Sequence, residues 1–425
     1  GLKAALWLLP LGFCLALLLM YPIGSGDIMD YINHGWLLGA RGLNPLIVSP
    51  ASVADNPFLK YSSGFMQPSS YGPLWELLGA GIVQLARVDL WTNLLAFKAL
   101  AILSYFASAA LIFILVRRRQ PGWAWRALVF FLWNPLVLFD LAANGHNDAL
   151  MLTGILLAFL ALEQSWPLAA RYSGASVALA LGTLIKAPAA LLLPLFWLDG
   201  WRRMDALSPA RRVSALGLSI VVVAVLLLTF YLPFANGGSY SPLTMLQSRT
   251  DLFTTSIPNA LKMGLQGGGM AVAQAATIAR NLALAAFALF YLWQMWQLGQ
   301  GRTTLRQASF EVMFFLLLFS TLWFQPWYVV WLVALAALLP AWSVQVRALV
   351  FSLTAMAKYV VWWMLLFWLF GNNRDVTQWA SVYIIFTPPL LISLGFIVYH
   401  RLQGTRSLVG KRGLDRGGAV TEAGA

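Results

Sequence analysis

The chain has 425 residues, 60% of them hydrophobic and 14% aromatic, with 10% charged and a mean hydropathy of +0.74, which is too apolar for a soluble globule. Its net charge of +13 raises nucleic acid as a partner, but the basic residues cluster at the ends of apolar blocks, so none is expected. The single cysteine, Cys14, excludes an intrachain disulfide and a cysteine metal site.

Apolar blocks of about 20 residues, long enough to cross a bilayer as helices, recur from the first residues to about His400. They are apolar all round, which argues against the alternating strands of a barrel. The first helix is predicted over 4–20. No small-residue cleavage site follows it, so it reads as a span and not as a signal peptide. The next clear span is 93–116, ending in Arg117-Arg118-Arg119. Between them the segment 21–92 carries "GLNPLIVSP", "DNPFLKYSS" and "QPSSYGPLWELLGAGIVQLA". If the 73–87 piece crossed the membrane, the triple arginine and every later basic loop would lie outside. As an interfacial helix it leaves them inside, and the charge bias favours that choice.

Further spans are predicted at 123–140, 148–163, 172–185, 187–199, 213–234, 274–297, 308–324, 327–340, 347–370 and 379–399. The reading is an all-α polytopic membrane protein of about 12 transmembrane helices (range about 10–13) with both termini cytoplasmic. Residues 1–400 form one domain, and 401–425 a basic cytoplasmic tail. Several spans are short, so the pairs 172–199 and 308–340 are expected to tilt around a thinned or water-filled cavity. One face collects 21–92, the "NGHNDA" turn, the turn beside Lys186, the 235–272 loop, "WFQPWY" and "GNNRD". That face is extracytoplasmic on this topology and carries most of the polar residues that are not merely basic.

The candidates on that face each have a plain alternative. Asp27 and Asp30 could be solvated acids or helix caps, yet at a water–lipid boundary a carboxylate is partly desolvated and suits general-base work on a hydroxyl. Asn144, His146, Asn147 and Asp148 could form a capped turn, but polar groups clustered in an apolar setting tend to be functional. Lys186 interrupts a long apolar stretch just before Pro188; it must snorkel, pair or face a cavity, where it would serve as a cation for phosphate. Arg249, Arg374 and Lys358 are further cations. Gln325, Trp327 and Tyr328 fit an aromatic belt or a sugar-stacking wall, and Trp75 and Glu76 share that ambiguity. No motif assigns a metal or other cofactor.

The motifs "SGDIMDYINHGWLLGARGLNPL", "SSYGPLWELL", "WNPLVLFDLAANGHNDALM", "LGTLIKAPAALLLP" and "FQPWYVVWLVAL" together resemble the GT-C superfamily. More narrowly they resemble bacterial polyprenol-phosphate-mannose-dependent mannosyltransferases of the α-1,6 type. One departure is Leu46 after Asn44-Pro45, where relatives often carry Tyr. The resemblance implies a GT-C bundle in a bacterial plasma membrane, with interfacial helices in the first extracytoplasmic loop and the catalytic acid at Asp27. It implies a polyprenyl-phosphate sugar donor, mannose above others, and a glycolipid or glycan acceptor. The expected reaction is a one-step inverting transfer with Asp27 as base and Asp30 as the second acid to test. Lys186, His146, Asn147, Asp148, Arg249 and Tyr31 are expected to serve the donor phosphate and sugar. Tyr71, Glu76, Gln325, Trp327 and Tyr328 are expected to contact substrate. The alternative class is a transporter or flippase for a lipid-linked sugar; the absence of an internal repeat speaks against it.

Overall fold

The computed structural model describes residues 1–62, 67–235 and 252–417, without the side chains of 363, 400 and 403–417. Helix is the regular structure of the described residues, with no strand among them. The main helices are α1 (Leu2–Leu19), α2 (Asp27–Arg41), α3 (Pro73–Ala86), α4 (Leu90–Arg119), α5 (Ala124–Leu132), α6 (Pro135–Leu138), α7 (Asp148–Ala161), α8 (Leu168–Ile185) and α9 (Leu193–Arg203). They continue as α10 (Pro209–Tyr231), α11 (Ile257–Gly267), α12 (Val272–Gly299), α13 (Leu305–Phe315), α14 (Val329–Ala337), α15 (Trp342–Val360) and, after a single turn at Leu366–Trp368, α16 (Arg374–Gly417).

Six described helices are long and apolar enough to cross a membrane: α1, α4, α8, Pro209–Phe234, α12 and Arg374–Tyr399. A seventh is the bent pair Pro121–Leu132 and Pro135–Ala143, which turns by 54°. The bend has a local cause. Pro135 offers no N–H to the preceding turn, and the Asn134 side chain instead accepts from the amides of Leu136 and Val137 at 3.1 and 3.2 Å. The remaining spans expected from sequence form shorter pieces. Residues 187–199 divide into a 3-10 stretch, Ala187–Leu192, and α9; 308–324 into α13 and a π-turn, Leu316–Ser320. Helices α7 and Pro326–Ala337 are apolar but short of the ~20 residues of a full crossing.

The polar segment after α1 folds against the bundle. Helix α2 opens with Asp27 and Asp30 in its first turn, where carboxylates complement the helix dipole. It closes at Gly42, whose φ of 62° lets Gly42 and Leu43 amides reach the Leu38 and Leu37 carbonyls. Helix α3 starts on Pro73, a first position where the missing N–H costs nothing. The two pack through small residues. A Cβ on Gly35 would lie 2.6 Å from the Gly79 carbonyl oxygen, and one on Gly39 2.7 Å from that of Ala80. This is the close approach that small residues four apart permit between helices.

Helix α4 is capped by Asp89, which accepts from the Thr92 amide at 2.6 Å, and ends on its three arginines. Its buried Lys98 reaches sideways to the Leu17 and Met20 carbonyls at 2.6 and 2.5 Å, so a lysine of one helix closes the C-terminus of another. That fixes where α1 stops and where the chain carrying Asp27 begins.

Candidate functional site

A cavity of about 700 Å³ opens where the short elements break. Its floor is the start of α2, its walls the turn at Lys186–Pro188, the end of α13 with its π-turn, the Pro326–Trp331 segment and α15. Asp27, Asp30, Tyr71, Lys186, Gln325, Trp327, Tyr328 and Lys358 all line it. Asp27 and Lys358, 331 positions apart in the chain (358 − 27), thus line one cavity.

Asp27 is the most elaborately held of these. Its carboxylate accepts from the Tyr71 hydroxyl at 3.0 Å, and its own amide donates to Ser25 Oγ at 3.1 Å. The side chain keeps 24% of its surface accessible from the cavity. Burial raises its pKa above the ordinary aspartate range, opposed in part by the Lys186 charge and by the Ser25 and Tyr71 hydrogen bonds. Asp30 lies one turn on, 3.5 Å from the Ser62 hydroxyl. The phenol of Tyr71 is itself pushed well up by burial and by the Asp27 charge, so it stays a donor.

Behind Asp27 sits the "GHND" turn, fully buried. Gly145 takes a φ of 71°, and a Cβ there would meet Ile28 and Lys98 at 3.0 and 3.1 Å. His146 stacks on Trp327 at 3.9 Å, with Nδ1 3.6 Å from Asp27 and Nε2 3.8 Å from Asp140. Burial, then Lys186, holds its pKa well below the usual value, so a neutral ring faces two carboxylates with one N–H. Asn147 is buried beside it. Asp148 does not reach the cavity; it is bonded to Lys186 Nζ at 2.7 Å and to the Trp331 indole N–H at 2.6 Å.

The two cavity cations therefore differ. Lys186 is ion-paired with buried Asp148 and lies 5.0–6.0 Å from the ring centres of Tyr328, Tyr71 and Trp331. Lys358 donates to two neutral acceptors, the Phe324 carbonyl and Gln325 Oε1, both at 2.9 Å. No carboxylate lies within ion-pair distance of it among the described residues. A lysine ammonium has three donors, which leaves one for a ligand.

Other candidates fall elsewhere. Tyr31 is buried under the floor, its ring 5.1 Å from Tyr71 and 4.9 Å from Trp75. Glu76 is buried and takes a hydrogen bond from Ser69 Oγ at 2.6 Å, which braces the loop carrying Tyr71 and not the cavity. Arg374 is exposed at the start of α16. Arg249 lies outside the described residues. Asp140 was not singled out by sequence; it accepts from Tyr359 at 2.5 Å and Asn144 at 2.9 Å, and Asn144 in turn accepts from the Gly24 amide at 3.0 Å. Its signal was present as an acid within an apolar run. Among the described residues no group of three or more His, Cys, Asp or Glu is placed to hold a metal ion.

Fold and site define a helical membrane protein with a large cavity carrying acids, cations and aromatic rings. Residues 2–200 match the N-terminal domain model of the alpha-(1->6)-mannopyranosyltransferase family MptA_B. The alpha-(1->6)-mannopyranosyltransferase Rv1459c of Mycobacterium tuberculosis is 30% identical over 175 residues, 38% of this chain and 27% of that protein. The resemblance to bacterial mannosyltransferases is thus shown for the N-terminal part, and the match spans about a quarter of the relative's length. Asp27, Tyr71, Asp140, His146, Asp148 and Lys186 fall inside the family match; Gln325, Trp327 and Lys358 fall beyond it.

Proposed function

We propose that this chain is an integral-membrane glycosyltransferase that moves a sugar, mannose first, from a polyprenyl-phosphate donor to a hydroxyl of a glycolipid or glycan acceptor. The transfer takes place on the extracytoplasmic face and inverts the anomeric centre. Asp27 takes the proton from the acceptor hydroxyl, the hydroxyl oxygen bonds to the anomeric carbon, and the carbon–phosphate oxygen bond breaks with polyprenyl phosphate leaving from the opposite side. A phosphate leaves without needing a proton, so cations at its oxygens matter more than a second acid. Lys358 and Lys186 face that space; Lys358 is the better placed because it is hydrogen-bonded to neutral acceptors, with no carboxylate within ion-pair distance among the described residues.

The observation that supports this reading most is Asp27 itself, a cavity-facing carboxylate with a raised pKa, oriented by Tyr71 and Ser25. The Trp327 ring and the Gln325 amide in the same cavity suit a sugar's faces and hydroxyls. Replacing Asp27 with Asn in a reconstituted assay with a lipid-linked mannose should lower transfer by about 100- to 10,000-fold. Transfer at near wild-type rate would remove Asp27 from the mechanism and make Asp30→Asn the next variant. Counterflow of the labelled donor without any transfer would favour a transporter.

A further inference from the structure

A second cavity, of about 260 Å³, lies at the other end of the bundle. Four segments connect the two. Helix α8 begins at the second cavity with Leu168 and ends at the first with Lys186; Ala187–Arg203 returns; α13 runs from Leu305 to the first cavity; and Pro326–Leu338 returns again. The 18 residues of α8 span ~27 Å at about 1.5 Å per residue, close to the hydrocarbon thickness of a bilayer. The two cavities therefore open towards opposite membrane faces.

We propose that this second cavity binds a phosphate-ester anion, the chemistry of an anionic phospholipid headgroup. Four guanidiniums line it, those of Arg119, Arg171, Arg203 and Arg306, against two carboxylates, Glu163 and Asp199. Both carboxylates are already shared. Glu163 Oε1 accepts from Arg119 at 2.7 Å and Arg306 at 2.6 Å, while Asp199 Oδ2 accepts from Tyr172 at 2.5 Å and Arg203 at 2.8 Å. Arg171 donates to the Trp166 carbonyl at 2.8 Å and has no carboxylate within ion-pair distance among the described residues. Two positive charges are thus unbalanced around a space that opens to the surface, and guanidinium is the group that matches phosphate oxygens in pairs.

Leu168 and Leu339 offer apolar walls to the ester end. With the arginine-rich end at the cytoplasmic surface, the ligand comes from the leaflet where anionic headgroups concentrate. None of this rests on the transferase reading.

The test uses the full chain, delipidated in detergent and titrated with phosphatidylglycerol in mixed micelles, read by native mass spectrometry and thermal melting. One saturable phosphatidylglycerol per chain is expected, with phosphatidylcholine not competing. Arg171→Gln should weaken binding at least about fivefold, and Arg203→Gln likewise, each removing one phosphate contact; Arg211→Gln, exposed and outside the cavity, should leave it unchanged. Equal affinity for free glycerol phosphate or inorganic phosphate would uphold the site and assign its ligand to a soluble source. Non-saturable phosphatidylglycerol uptake, or wild-type binding by both cavity variants, would overturn it.

Discussion

Asp27 and its neighbours make a prediction about pH. Its carboxylate must be ionised to accept a proton, and burial raises its pKa, so the acid limb of kcat/KM should lie above the ordinary aspartate value of about 3.9. Activity is lost as pH falls through that raised pKa and regained above it. The Tyr71 hydrogen bond lowers the pKa, so Tyr71→Phe should move the acid limb to still higher pH. A limb that stays put in that variant would mean that another group controls it. The cations predict a contrast. Lys358→Gln removes a charge held only by neutral acceptors and should cut kcat by about 100-fold, as loss of one preorganised donor to a developing charge does. Lys186→Gln also leaves buried Asp148 without its cationic partner, so it should in addition lower the melting temperature. Equal melting temperatures for the two variants would refute that distinction.

Among elements, the α2–α3 pair holds the candidate base and the Tyr71 loop in one unit. Gly35 and Gly39 let the backbones touch, so Gly35→Leu has to push Gly79 away. Overpacking of that kind costs about 1–3 kcal/mol. The expected result is a lower melting temperature in detergent together with reduced transfer, whereas Gly81→Leu, with open space at its Cβ, should change neither. Much of this level was legible in the sequence. The long spans, the interruption at Lys186 and the polar turn "GHND" follow from unbroken apolar runs and their punctuation. Helix α2 was not, because its amphipathic pattern lies in a polar stretch that reads as loop by composition. The break at Asn134-Pro135 and the π-turns depend on caps and packing that no apolar count reveals. Asp148 shows the same limit at the site: its residue type announced function, yet its partners, Lys186 and Trp331, lie 38 and 183 positions away.

At the scale of the whole molecule the two cavities define an axis, and the charge bias assigns its direction. Arg117, Arg118, Arg119, Arg203 and Arg306 all lie at the second cavity or at the end of α4 beside it. Asp27, Asp30 and Asp148 gather at the first or in its wall. By the positive-inside rule the first cavity is expected to face out, which is the side on which the proposed function needs its lipid-linked sugar donor. Cysteine labelling checks this directly, because the one native thiol, Cys14, is buried and gives little background. Ser52 is exposed in the segment between α2 and α3, and Gln120 is exposed at the second cavity. In intact cells stripped of wall, a membrane-impermeant maleimide should label Ser52→Cys at once and Gln120→Cys only after permeabilisation. The reverse pattern would turn the protein over, place the acids at the cytoplasmic surface and require a donor presented on that side.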